Sequence, residues 1–143
     1  MTSIISFIII LSILVLVHEL GHFLVARKFG IKVEEFGFGY PPKIWGKRVG
    51  ETIYSINWLP FGGFVRMLGE DSSGQVENKG ELKRAFFNQS KRVRVAVLLA
   101  GVIMNFLFGV VLFGAIYTKI GIPEEVDYLV ITGIAEDSPA QKA

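Results

Sequence analysis

The sequence predicts an α-helical membrane protein with two transmembrane helices and a membrane-associated β-hairpin or small β-sheet between them. Three observations carry this. Hydrophobic residues make up 51% of the chain but are concentrated in two blocks, residues 4–26 and 95–117. Residues 33–70 between them break into short alternating segments punctuated by Gly and Pro. Basic residues crowd the same interval, as they do in a loop held on one side of a bilayer.

The first block opens with IISFIIILSILVLV at residues 4–17, in which Ser6 and Ser12 are the only polar side chains. Apolar spacing resumes at Phe23, Leu24, Val25 and Ala26. As a helix, residues 4–26 would rise about 35 Å, enough to cross a hydrocarbon core of about 30 Å. A cleavable signal peptide would need a basic start and a small-residue cleavage site. Met1-Thr2-Ser3 supplies no basic residue and no Ala-x-Ala pattern ends the run, so it reads as an uncleaved span.

Within this span lies His18-Glu19-Leu20-Gly21-His22, which contains the chain's only two histidines. On a helix, positions four apart share a face about 6 Å apart along the axis, so both imidazoles can reach one Zn²⁺ while Glu19 points at a metal-bound water. Ionisable groups cost about 2.5–3.5 kcal/mol each at the centre of a span, a cost that a bound metal would offset. The plainer reading is a helix end whose polar groups rise into the headgroups beside Arg27 and Lys28.

From Val33 to Glu70, Lys43–Val49 and Glu51–Trp58 are candidate strands separated at Gly50, and residues 52–58 alternate with period two. Pro41-Pro42 and Pro60 with Gly62-Gly63 predict breaks. The aromatic load is high for a loop, with Phe36, Phe38, Tyr40, Trp45, Tyr54, Trp58, Phe61 and Phe64. Either these residues pack a small domain or the sheet dips into the membrane, where protein or a water-filled cavity must cover its backbone. An exposed sheet edge there could pair with an unwound peptide.

The second block, residues 95–117, has Asn105 as its sole polar side chain and is long enough to span. Gly101, Asn105 and Gly109 recur every four residues, making a small-residue face suited to close helix packing. Before it, Leu82, Ala85, Phe86 and Phe87 with Lys83 and Arg84 fit an interfacial helix as well as a solvated loop.

Charge sets orientation. Of 15 Lys and Arg, 13 lie between Arg27 and Arg94, against seven acidic residues there, while the tail after Tyr117 has two basic and five acidic. Loop 27–94 is therefore expected in the cytoplasm, with both termini on the opposite side. Lys91, Arg92 and Arg94 are placed to meet anionic headgroups. A net charge of +2 gives no reason to expect a nucleic-acid partner. The absence of cysteine removes disulfide and thiolate-zinc chemistry.

Four segments together resemble the site-2 protease family of intramembrane zinc metalloproteases, in particular the bacterial regulator-of-sigma-E protease branch. They are VHELGHFLVARKFGIKV in the first span, FGFGYPPKIW, LPFGGFVRMLGE at residues 59–70, and VAVLLAGVIMN opening the second span. The pentapeptide alone is common, whereas these segments in this order are specific.

The resemblance implies that His18 and His22 ligate zinc and that Glu19 is the general base. It implies that Gly37-Phe38-Gly39 belongs to a membrane-reentrant β-loop guiding substrate by strand addition. Gly62 and Gly63 match the family's Pro-x-Gly-Gly turn, a second substrate-binding candidate, although turn geometry alone would also call for glycine. The expected partners are the lipid bilayer and a single-span membrane substrate, such as an anti-sigma factor or signal-peptide remnant. The expected location is the bacterial inner membrane.

Two departures stand out. The family's second span usually begins Ala-Gly-Pro-x-x-Asn, whereas this chain has Val102 in place of the proline, which keeps a backbone donor and straightens a kink. The family's third zinc ligand, an aspartate in a Leu-Asp-Gly motif on a later span, has no counterpart here. The tail resembles the start of a PDZ domain, so a C-terminal remainder of the same enzyme is expected. The implied organisation is a first span at 1–29, a reentrant β region at 30–70, a cytoplasmic and interfacial segment at 71–94, a second span at 95–118 and a truncated PDZ domain at 119–143. The competing readings are a non-catalytic metal-binding membrane scaffold and a membrane-anchored zinc peptidase of the soluble type.

Overall fold

In the computed structural model, residues 2–70 and 79–122 are described, and the proposed PDZ start from residue 123 onward lies outside them. The chain divides into two units, 1–112 and 113–143. Of the second, residues 113–122 are described: the last turns of a helix, with the Phe113 and Tyr117 rings stacked 6.0 Å apart and the Thr118 hydroxyl donating to the Gly114 carbonyl at 2.6 Å.

The first block forms α1, Thr2–Lys28. At 27 residues it is about 40 Å long. It ends where Gly30 adopts φ 76°, with Gly30 N–H donating to Arg27 and Ile31 N–H to Ala26, both at 3.0 Å. This paired capping pattern satisfies carbonyls that the helix end leaves open. The second block forms α3, Lys91–Ile120, continuous through Val102. At its start, the Ser90 hydroxyl accepts from the Val93 N–H at 3.4 Å. Both helices are long and apolar enough to cross a membrane. Their large apolar side chains, among them Ile4, Phe7, Ile9, Leu98, Val102 and Phe106, are exposed, a surface suited to lipid rather than water.

Between them, β1 (Val33–Val49) and β2 (Thr52–Met67) form one sheet. The predicted breaks at Pro41-Pro42 and Pro60 interrupt the pairing without ending the strands. Residues 43–49 pair with 52–57 across the Gly50-Glu51 turn, and residues 33–38 pair antiparallel with 63–67 on one side. On their other side, residues 35–38 advance in step with 53–56. The Gly37-Phe38-Gly39 stretch is therefore interior to the sheet, and 63–67 is an outer strand.

Segment 79–90 holds only the short α2, Lys79–Leu82, and a 3₁₀ turn, Phe86–Asn88, rather than one interfacial helix. Its hydrogen bonds explain why. Lys32 N–H donates to the Arg84 carbonyl at 3.1 Å, and Phe86 N–H donates to the Leu68 carbonyl at 2.7 Å. Arg84 also clasps both oxygens of Glu51 at 2.5 and 2.6 Å. The segment is spent on tying the sheet to the end of α1.

The core joins α1, the sheet and the first turns of α3 through Phe23, Ala26, Ile31, Val33, Val65, Met67 and Val97. It begins one residue beyond His22, so the packing that closes the fold also fixes the histidine end of α1.

Candidate metal centre

His18 and His22, one turn apart on α1, set their rings edge to face with centroids 4.7 Å apart. The backbone of α3 decides how each ring is held. His22 Nδ1 lies 2.7 Å from the Val97 carbonyl oxygen. A carbonyl can only accept, so Nδ1 carries the hydrogen and Nε2 keeps its lone pair. That is the form in which an imidazole binds a metal, oriented by a second hydrogen bond.

His18 lies against Gly101. A Cβ built on Gly101 would stand 2.5, 2.6 and 2.7 Å from Cε1, Nε2 and Cδ2 of the ring. Three near-equal distances mean that the ring rests its face on Gly101; approach along the lone pair would bring Nε2 much the closest. The Nε2 lone pair, which lies in the ring plane, thus does not point at Gly101. Its other nitrogen, Nδ1, lies 3.5 Å from Asn105 Nδ2. Val97, Gly101 and Asn105 are successive four-residue steps on α3, so one helix row serves both histidines.

Glu19 faces a cavity of about 130 Å³ shared with His22, Val65, Met67, Glu70 and Leu98. This has room for a few waters. Val65, on the outer strand of the sheet, lines this cavity beside Glu19. Glu70 accepts the Met67 N–H at 3.2 Å and adds a second carboxylate to this cavity. Val65 and Glu70 also line a larger cavity of about 560 Å³, with Glu35, Tyr40, Lys43, Asn57 and Arg66.

The donor set fits a metal ion: two imidazoles one turn apart, the His22 ring with its hydrogen held on Nδ1, beside a carboxylate. Among the described residues, no group of three or more His, Cys, Asp and Glu gathers into a complete ligand set.

The other predicted residues do not converge on the histidines. Gly37 has the Phe64 ring and the Ser55 hydroxyl where a Cβ would go, and Gly39, at φ 76°, lies against the Leu59 carbonyl. Phe38 is 36% exposed on a strand with both edges paired. Gly62, at φ 71°, and Gly63 lie flat on α1, where Cβ atoms would meet Val15 at 2.7 Å and Leu16 at 3.2 Å. The Pro-x-Gly-Gly stretch thus lets the sheet lie close against the helix. Beside it, the Ser12 hydroxyl donates to the Pro60 carbonyl at 3.0 Å.

Sequence reasoning assigned no role to Glu70, Val65, the Val97 carbonyl or Ser12. Only Glu70 had a sequence signal, as the last residue of the LPFGGFVRMLGE segment. Backbone groups leave none.

The sequence is 41% identical to a candidate zinc metalloprotease of Clostridium acetobutylicum over 140 residues, 98% of this chain and 38% of that protein. It is 38% identical to a similarly named protein of Thermotoga maritima over 143 residues, 98% of this chain and 27% of that one. Zinc metalloprotease RasP of Geobacillus kaustophilus is 44% identical over 96 residues, covering 67% of this chain and 23% of RasP. The chain thus spans well under half the length of these relatives. The sequence model of peptidase family M50 matches residues 6–141, and with the paired histidines, the glutamate and the apolar helices already in place, the chain belongs to that family.

Proposed function

We propose that the protein is a zinc-dependent endopeptidase that hydrolyses a peptide bond of a single-span membrane protein within the bilayer of a bacterial inner membrane. The class of substrate is a membrane-held regulator such as an anti-sigma factor, or a signal-peptide remnant. Loop 27–94 lies on the cytoplasmic side, following its excess of basic residues.

The observation that carries this reading is the place of Glu19, on a helix of membrane length and in one cavity with His22 and with Val65 of the outer strand. A substrate segment unwound from its helix can add to the 63–67 edge, which pairs with β1 on one side only among the described residues. Its peptide groups would then run past Glu19 and His22. Zinc, when bound, supplies a Lewis acid for the scissile carbonyl and makes water a nucleophile near neutral pH. His18 and His22 would hold it, with a third ligand expected from the remainder of the enzyme. Glu19 takes the proton of the attacking water on its carboxylate and passes it to the departing amine.

The depth of the sheet supports the intramembrane setting. Ser12 precedes His18 by six residues, about 9 Å along the helix, and it binds the carbonyl of Pro60. Residues 60–63 therefore lie beside the apolar stretch of α1, with a carbonyl satisfied by protein, as non-helical backbone at membrane depth requires. Trp58, 68% exposed, and Phe61, Ile44 and Trp45 extend an apolar surface there.

The test is Glu19→Gln in the full-length protein, with a tagged single-span reporter in cells. Accumulation of uncut reporter is expected, with zinc retained by the purified variant. Continued cleavage at the wild-type rate would overturn the assignment of Glu19. Rapid reaction of cysteines at positions 18–22 with membrane-impermeant reagents would overturn the intramembrane setting.

A further inference from the structure

We propose that Asn105 is a positioning residue that fixes the tautomer of His18, its side-chain oxygen accepting the Nδ1 hydrogen so that Nε2 is left free for the metal. The inference rests on the metalloprotease reading and extends it to a residue on α3.

Three observations lead to it. His22 already shows the rule, because the Val97 carbonyl holds its hydrogen on Nδ1. His18 must be held the same way for both rings to offer Nε2 to one ion, and Asn105 is the group at its Nδ1, with Nδ2 3.5 Å away. Finally, Asn105 Oδ1 is buried without a hydrogen-bond partner. With the nitrogen end facing the ring, the amide would donate to Nδ1, drive the ring hydrogen to Nε2 and block the metal. The two ends of an asparagine amide are nearly the same size, and which end faces a partner follows from the hydrogen bonds available. Turned end for end, the amide brings its unpartnered oxygen to Nδ1–H and leaves the Nε2 lone pair clear.

The position of Asn105 is set independently of its chemistry. Gly101, one turn earlier, gives the face of the His18 ring its space, which brings the ring's Nδ1 within reach of the next residue on the same row. An asparagine serving only as polar glue between helices would hold α1 to α3 without selecting a tautomer.

The test uses full-length protein in detergent, ¹⁵N-labelled at histidine and stripped of metal. Imidazole ¹⁵N spectra of wild type, Asn105→Leu and Asn105→Asp report which nitrogen carries hydrogen, and competition with a chelator gives zinc affinity. In wild type, both His18 and His22 should carry hydrogen on Nδ1. In Asn105→Leu, His22 should be unchanged, His18 should populate the Nε2–H form, and zinc affinity should fall about tenfold or more. Asn105→Asp keeps an acceptor oxygen and should restore both the His18 spectrum and most of the affinity. The unchanged His22 signal shows that the leucine variant is folded around α3. If the leucine variant kept the wild-type tautomer and affinity, or if the aspartate variant failed to rescue either, the proposal would be wrong while the protease reading stood. Wild-type protein that bound no zinc would sink both.

Discussion

The imidazole of His18 rests its face on Gly101, where even a methyl group would stand 2.5–2.7 Å from three ring atoms. Neither partner can yield easily, since one is a helix backbone and the other a ring aimed at the metal position. Gly101→Ala is therefore expected to push His18 out of place, lowering zinc affinity about tenfold or more. Overpacking of this kind also costs about 1–3 kcal/mol of stability. Zinc content after dialysis, read beside the unfolding curve, checks both; a variant that retains zinc like wild type would show that α3 stands farther from α1 than described.

Ser12 is buried in α1 and is the hydrogen-bond partner of the Pro60 carbonyl. Ser12→Ala should leave that carbonyl without a donor and cost about 1–3 kcal/mol, while Ser12→Thr should recover much of it. Unfolding in mixed micelles measures the loss, and protease nicking at residues 58–62 measures release of the sheet from the helix. Equal stability of all three proteins would mean that this turn finds another donor.

Glu35 is a buried carboxylate between Lys43, at 2.7 Å, and Arg66, at 3.1 Å. Burial opposes its ionisation, but the Lys43 ammonium and the Arg66 guanidinium beside it outweigh that and hold its pKa below the usual glutamate range. A carboxyl with a depressed folded value contributes stability that is fully present above the unfolded value, about pH 4.3, and is lost as pH falls through the folded value. Melting temperatures should thus drop more steeply below pH 4.3 in wild type than in Glu35→Gln. Parallel curves would remove Glu35 from the acid response.

The Arg84 pair with Glu51 has good two-pronged geometry but sits in solvent, with side chains 42% and 45% exposed. Its worth is correspondingly small. Glu51→Gln should cost at most about 1 kcal/mol, and the cost should shrink in high salt. A larger loss, insensitive to salt, would point instead to the backbone bonds that tie segment 79–90 to the sheet.

Much of the fold was legible from composition and period. The apolar blocks became α1 and α3 because helix formation satisfies every internal backbone group of a segment that lipid will surround. Gly50 marked its turn because two-residue hairpin turns need positive φ. Pro41-Pro42 and Pro60 interrupt the ladder, as their missing N–H predicts, but the strands run on beyond them. Local pattern left Leu82–Phe87 open between an interfacial helix and a solvated loop. The segment's carbonyls and N–H groups are taken by Lys32 and Leu68, a long-range pairing that local pattern does not reveal.

By itself the sequence determined the two apolar helices, the place of His18, Glu19 and His22 on one of them, and the chemistry those three side chains can perform. These follow from side-chain identity and the fixed pitch of a helix. Only the tertiary structure decided which groups meet them: Val97 O on His22, Gly101 and Asn105 on His18, and Val65 and Glu70 at the cavity of Glu19. It also made 63–67, rather than the Gly37-Phe38-Gly39 stretch, the outer strand that lines the cavity of Glu19. Backbone donors and acceptors are the same in every residue, so their roles depend on which elements pack together and in which register.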